Sequence, residues 1–203
     1  MNKYLTLIET SKQYIDQGFD CFHREIQTKD KIGLFLVLST IRAVRLSDAI
    51  VHLSKASFTS ESLPTLRSLI ETAVNMRWIM NKDTEKRLKE YYANLDKNKW
   101  FGDRWTTMNL KDRMKEIDSK DKSELYYDLV VKFCHDYIHG SAGTLPYRHL
   151  IPKVSETFMS ADVIYTITSQ MLGHVLKALN EYWPGKFNSY KVIWKTIKNF
   201  QPI

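Results

Sequence analysis

Seven glycines and five prolines in 203 residues leave little punctuation for tight turns. A fold of many short strands needs such residues at each hairpin, so their scarcity argues for long helices. Two cysteines, Cys21 and Cys134, make neither a disulfide framework nor a zinc-finger spacing. Long apolar runs are missing as well. The most apolar stretch, "IGLFLVLSTI" (32–41), is about half a membrane span and runs into Arg42 and Arg45. The start, "MNKYLTLIETSKQY", lacks the apolar run of a signal peptide. These absences predict a cytoplasmic protein with no membrane partner. No repeat, low-complexity segment or domain boundary is visible.

What is there fits one helical domain spanning residues 1–203. Hydrophobic residues make up 43% and charged residues 26%, the balance of a chain that folds around a core. The formal charge is +7, with 30 Lys and Arg against 23 Asp and Glu. That surplus is compatible with phosphate contacts to RNA, DNA or a nucleotide. No polybasic block stands out, so lysines that only keep the surface solvated account for it equally well.

Apolar residues recur at three-and-four spacing throughout. Leu5, Leu7, Ile8, Tyr14, Ile15, Phe19 and Phe22 mark a first helix over about 3–27. Asp30 is the natural cap of a second, about 31–56, whose first half is apolar almost all round and therefore predicts an enclosed position. A third runs over 59–81, with Thr59 or Ser60 as cap candidates and Pro64 tolerable in the first turn. Asp83 or Thr84 opens the next, and Asn109, Ser119 and Ser160 are caps for three more. "PG" at 184–185 stops the long helix after Ser160, and a short amphipathic helix over about 188–199 follows. The pattern predicts an all-α, single-domain bundle of six to seven helices. Residues 140–158 form the longest irregular stretch.

Candidate chemistry gathers in four places. On the third helix Arg67, Glu71 and Asn75 stand four apart, spanning about 80° beside the apolar arc of Leu66, Ile70, Ala73 and Val74. Arg77 falls inside that arc and needs a buried partner or a ligand, because an unpaired charge there costs too much. On the second helix Arg45, Asp48 and His52 share a stripe, where the carboxylate could orient the imidazole or simply form a salt bridge. "KFCHDYIHGS" (132–141) puts His135 and His139 on one face near a helix C-terminus, where the dipole favours a cationic ring. "NKWFGDRWTTM" (98–108) interleaves Lys99 and Arg104 with Trp100, Phe101 and Trp105, residues that stack on bases when exposed and plug a bundle end when buried.

The histidine pair admits three roles, two functional and one structural. As metal ligands, His135 and His139 would need Cys134 or His149 as a third, and the glutamate of the H-E-x-x-H pattern is replaced by Asp136. We therefore expect no metal and no cofactor. As an acid/base group, His139 could take a proton from a ribose hydroxyl while a nearby cation stabilises the phosphorane. As a cap, the imidazoles would bond the last carbonyls of their helix and Ser141 the loop behind it.

The segments "LRSLIETAVNMRWI" and "HDYIHGSA" together resemble an uncharacterised bacterial helical family built round an R-x-x-x-E helix and a later helix ending in His-Gly/Pro-Ser. The resemblance covers roughly residues 30 to 180 and carries over to Arg67, Glu71, His139 and Ser141. It implies an all-α bundle without an established activity. A wider similarity is to the HEPN superfamily, nucleotide-binding helical domains of toxins, abortive-infection proteins and CRISPR ribonucleases. Many of those carry an arginine, four to six intervening residues and then a histidine, and pair across a dimer to form a metal-independent ribonuclease site. Here no arginine occupies positions 132 to 134. Lys132 supplies a cation without the guanidinium fork that grips phosphate.

The resemblance implies a HEPN-like protein of a bacterial defence or toxin system, acting on RNA or a nucleotide as a homodimer. Our own reading, outside the HEPN pattern, lets Arg67 from another helix replace the missing arginine: His139 would be the acid/base, Arg67 the phosphate clamp, Glu71 the orienting carboxylate and His135 a further member. Lys132, Arg77, Arg104 and Trp105 would contact phosphate or bases. The alternative is a non-catalytic module with a protein partner, in which the Arg/Glu/His cluster is structural.

Overall fold

A computed structural model describes residues 2–20, 30–95, 108–117 and 160–198, together with Val131 and Cys134. Among these residues the chain forms seven α-helices and no strand: α1 (Lys3–Asp20), α2 (Lys31–Lys55), α3 (Leu63–Asn81), α4 (Thr84–Leu95), α5 (Leu110–Ile117), α6 (Ala161–Tyr182) and α7 (Tyr190–Lys198). The fold class is all-α, as the spacing predicts. The end of the first predicted helix, the helix after Ser119 apart from Val131 and Cys134, and the loop over 140–158 lie outside the described residues.

Most caps sit where the sequence places them. The Asp30 carboxylate accepts from the Gly33 N–H at 2.8 Å and opens α2. Asn109 Oδ1 accepts from Asp112 N at 2.9 Å to open α5, and Ser160 Oγ accepts from Val163 N at 3.4 Å to open α6. Each relieves one of the orphan donors of a helix start. The entry to α3 differs from expectation. Thr59 makes no side-chain cap; the chain instead enters through a 3-10 turn, Ser60–Ser62, where Ser62 Oγ donates to the Thr59 carbonyl at 2.6 Å. Pro64 stands in the first turn of α3, where its missing N–H leaves no bond unmade. After α6, Gly185 takes φ +86°, the left-handed turn that glycine accepts without strain.

Helices α1, α2, α3 and α6 build the core. Asn2 binds Asp162 at the starts of α1 and α6, and Phe19 packs edge-on against Trp183 and Phe187 where both end, so these two run parallel. Tyr182, at the end of α6, donates to Asp30 at the start of α2 over 2.7 Å, so α2 runs the other way. Arg77 of α3 meets Glu181 of α6 near the ends of both, which makes α3 parallel to α6. α5 packs on α3, α4 on α3 and α2, and α7 on α6 and α1.

The enclosed helix is α6. Leu172, Val175, Leu176, Ala178 and Leu179 have no exposed surface, and Ile164, Tyr165 and Met171 are nearly as buried. Each large apolar side chain withdrawn this way contributes about 1.5–3 kcal/mol. The expectation of an enclosed first half for α2 is overturned. Phe35, Leu36 and Ala43 are buried, but Leu34 is 38%, Leu38 55% and Ile41 45% exposed. Three-and-four spacing puts Leu34, Leu38 and Ile41 on one line, and that line faces away from the core formed with α3 and α6.

Candidate functional site

The third helix carries the centre of the candidate site. Leu66, Leu69, Ile70 and Ala73 anchor α3 in the core, which leaves Arg67, Glu71 and Asn75 along one edge. Arg67 converges on Glu71 from two nitrogens. Nε donates to Oε1 at 2.9 Å and Nη2 lies 2.9 Å from the same oxygen. The third nitrogen, Nη1, donates to the carbonyl of Val131 at 3.1 Å. The Arg67 side chain is 17% exposed and that of Glu71 45%, so the pair sits at a rim rather than inside the core. Glu71 keeps Oε2 outside the pair.

Cys134 lies in the same neighbourhood and is fully buried. Burial pushes its thiol up to about 12, against an opposing pull from the nearby Arg67 guanidinium. At physiological pH it is a protonated thiol, a poor nucleophile and a poor metal ligand in that form. Arg67 therefore touches the stretch that precedes "HDYIHGS". His135, His139, Ser141, Lys132 and His149 lie outside the described residues. So do Arg104, Trp105, Lys99, Trp100 and Phe101.

Arg77 is 4% exposed, and the partner it needs is Glu181 of α6, opposite Nη1. The cation expected to touch phosphate thus faces a carboxylate of its own chain. On α2 the predicted stripe splits. Asp48 takes Lys12 of α1 at 2.7 Å instead of turning to His52, and Lys12 also meets Glu9 at 2.9 Å. His52 and Arg45 are exposed. The salt-bridging role holds for Asp48, with a partner on another helix.

Sequence reasoning missed a second polar network. Arg113 of α5 is 8% exposed and donates to Asn75 Oδ1, which fixes the C-terminal part of the same α3 edge. Arg87 of α4 is 6% exposed; its guanidinium stacks 3.8 Å from the Trp78 ring centroid and donates to the Trp78 carbonyl. Arg87 Nη2 also donates to Glu116 Oε2 at 2.6 Å, and Trp78 Nε1 reaches the same oxygen at 2.9 Å. Burial opposes the ionisation of Glu116, but the bonds from Arg87 and Trp78 and the charges of Arg87 and Lys82 outweigh it and hold the carboxyl below its usual range. A signal was available. Arg87 and Arg113 fall on the inner arc of their helices, next to Leu88 and to Leu110 and Met114, as Arg77 does on α3.

Chemically the α3 edge offers a guanidinium bonded on three nitrogens and a half-exposed carboxylate with one oxygen to spare. Among the described residues no three of His, Cys, Asp and Glu gather as metal ligands, and no helix is long and apolar enough to cross a membrane. Neither a curated protein nor a solved structure matches the chain. A model for a family of unknown function (DUF5677) matches residues 34–100, the span of α2 from Leu34 through α3 and α4 that includes the Arg67-x-x-x-Glu71 helix.

Proposed function

We propose that the protein is a HEPN-like helical protein of a bacterial defence or toxin system that acts on RNA or a nucleotide, as a homodimer in the cytoplasm. One observation carries the reading. Arg67, which holds Glu71, bonds the Val131 carbonyl and lies near Cys134, and His135 and His139 follow these residues in sequence. In this reading His139 removes the ribose 2′-hydroxyl proton, Glu71 orients an imidazole through its second oxygen, and the guanidinium of Arg67 stabilises charge on the phosphorane. The arginine missing from positions 132 to 134 is replaced by one from another helix.

A second reading draws on the same geometry. Three nitrogens of Arg67 already have acceptors within the chain, and Arg77 is opposite Glu181. Those bonds suit a protein-interaction module whose polar cluster is architecture.

Cleavage of total RNA and tRNA by the purified protein separates the two, with Arg67→Ala and His139→Ala alongside and EDTA present or absent. Metal-free catalysis predicts cleavage that EDTA spares and that both folded variants lose. Wild-type protein that cuts nothing, with Arg67→Ala poorly folded, would leave the interaction module.

A further inference from the structure

The surplus of positive charge is not spread evenly. Residues 184–203 hold four lysines and no carboxylate, so more than half of the net charge of +7 falls in this stretch. The lysines stand at positions 186, 191, 195 and 198, spaced rather than contiguous, which hides them from a search for a basic block.

The structure turns this spacing into a surface. Helix α7 is pinned by its inner side: Ile193 has no exposed surface, Trp194 packs edge-on to His174 of α6 at 4.8 Å between ring centroids, and Tyr190 packs on the core. Lys191 and Lys195 stand about 160° and 200° round the helix from Ile193, squarely on the opposite side. Both are exposed, and so is Lys186 in the turn before α7. Four residues of helix advance Lys195 about 6 Å beyond Lys191, close to the spacing of successive phosphates along a strand. Among the described residues no carboxylate pairs with these three lysines, whereas Lys12 pairs with Glu9 and Asp48, and Lys82 with Glu116.

We infer that Lys186, Lys191 and Lys195 form a strip that binds the phosphate backbone of single-stranded RNA. The inference rests on the RNA-directed reading above and adds where the strand lies. A membrane surface fits less well. Among the described side chains of α7, Val192, 51% exposed, is the one exposed large apolar group, too little for an amphipathic helix to bury among lipids.

Fluorescence anisotropy of a labelled single-stranded RNA between 50 and 200 mM salt tests it, with wild type, a Lys→Gln triple variant at 186, 191 and 195, and the matching Lys→Arg triple. Thermal melts of all three check folding. Each lost phosphate contact lowers the slope of log K against log salt by about 0.7 on a single strand, so the Gln variant is expected to lose roughly 2 from the slope and the Arg variant to keep it. Equal slopes for wild type and the Gln variant would overturn the strip while leaving an RNA-directed protein intact. Wild type that binds no RNA even at 50 mM salt would overturn the strip and the functional reading together. Binding of phosphatidylserine vesicles without binding of RNA would overturn the choice of partner.

Discussion

Arg67 on α3 donates from Nη1 to the backbone carbonyl of Val131 at 3.1 Å, while its other two nitrogens hold Glu71. One side chain thus fastens a distant stretch of chain to the helix that carries the candidate site. The bond is to a fully buried residue, so its carbonyl has no water to turn to.

Replacing Arg67 separates architecture from chemistry. Arg67→Ala takes one donor from the buried Val131 carbonyl and leaves Glu71 without its cation, and is expected to cost about 1–3 kcal/mol. Arg67→Lys retains one donor and should cost less, although the fork that serves Glu71 and Val131 at once is gone. Urea unfolding of both variants reads this directly. A midpoint unchanged in Arg67→Ala would mean that the carbonyl bond contributes nothing, and would point to Arg67 as a ligand group.

The Arg77–Glu181 pair predicts an order of stabilities that runs against intuition. Removing the acid, as in Glu181→Ala, leaves a guanidinium only 4% exposed without its counter-charge. Removing the base, as in Arg77→Met, puts an apolar chain of similar length among apolar neighbours. Breaking a buried pair from one side is costly, whereas apolar replacement is often neutral or better. Because Glu181 is one-third exposed, solvent softens the first effect to about 1–3 kcal/mol. Arg77→Met should therefore melt above Glu181→Ala. The reverse order would show that Arg77 contributes through hydrogen bonds of its own.

Much of the fold is legible because helices advertise themselves locally. Asp30, Asn109, Ser160 and the Pro184–Gly185 stop all lie within a turn of the helix ends they mark, and short-range spacing finds them. What spacing does not reveal is which apolar helix is surrounded. The first half of α2 is as apolar as α6, yet Leu34, Leu38 and Ile41 stand at the surface while most of the apolar residues of α6 are enclosed. Both helices meet four others, so the difference lies in which faces those neighbours cover, a property of the assembled chain. The site behaves likewise. The need of Arg77 for a partner can be read from its position in an apolar arc, but Glu181 is more than a hundred residues away in sequence. The same arc rule, applied to α4 and α5, would have found Arg87 and Arg113.

The Glu116 network gives a signature at acid pH. Arg87, Trp78 and Lys82 hold the carboxyl below its usual range in the folded protein. The unfolded chain therefore takes up the proton first as pH falls. The contribution is fully present above the unfolded value, about 4.3, and is lost as pH drops through the lower folded value. Glu116→Gln removes it. The variant should melt below wild type at pH 7, and the gap should narrow steadily on acidification below about pH 4. A gap independent of pH would mean that the Gln side chain lost geometry rather than charge.

Tyr182 supplies the mirror image at alkaline pH. Its hydroxyl donates to Asp30 at 2.7 Å, and the same Asp30 oxygen accepts from the Gly33 N–H to open α2. Burial first, and then the bond and charge of Asp30, push the phenol up to about 12, above its ordinary value of about 10. Here the folded protein holds its proton more tightly than the unfolded chain. The contribution is complete below about pH 10 and disappears as pH climbs toward 12. Tyr182→Phe removes the donor without emptying the ring's place against Trp183. It is expected to lower the melting temperature at pH 8 and to flatten its decline between pH 10 and 12. A decline in the variant as steep as in wild type would assign the alkaline loss to other tyrosines, of which Tyr165 and Tyr92 are also raised by burial. Asp30→Asn should show both defects at once, a weaker cap on α2 and an alkaline limb that begins lower, because the charge that keeps the phenol protonated is gone.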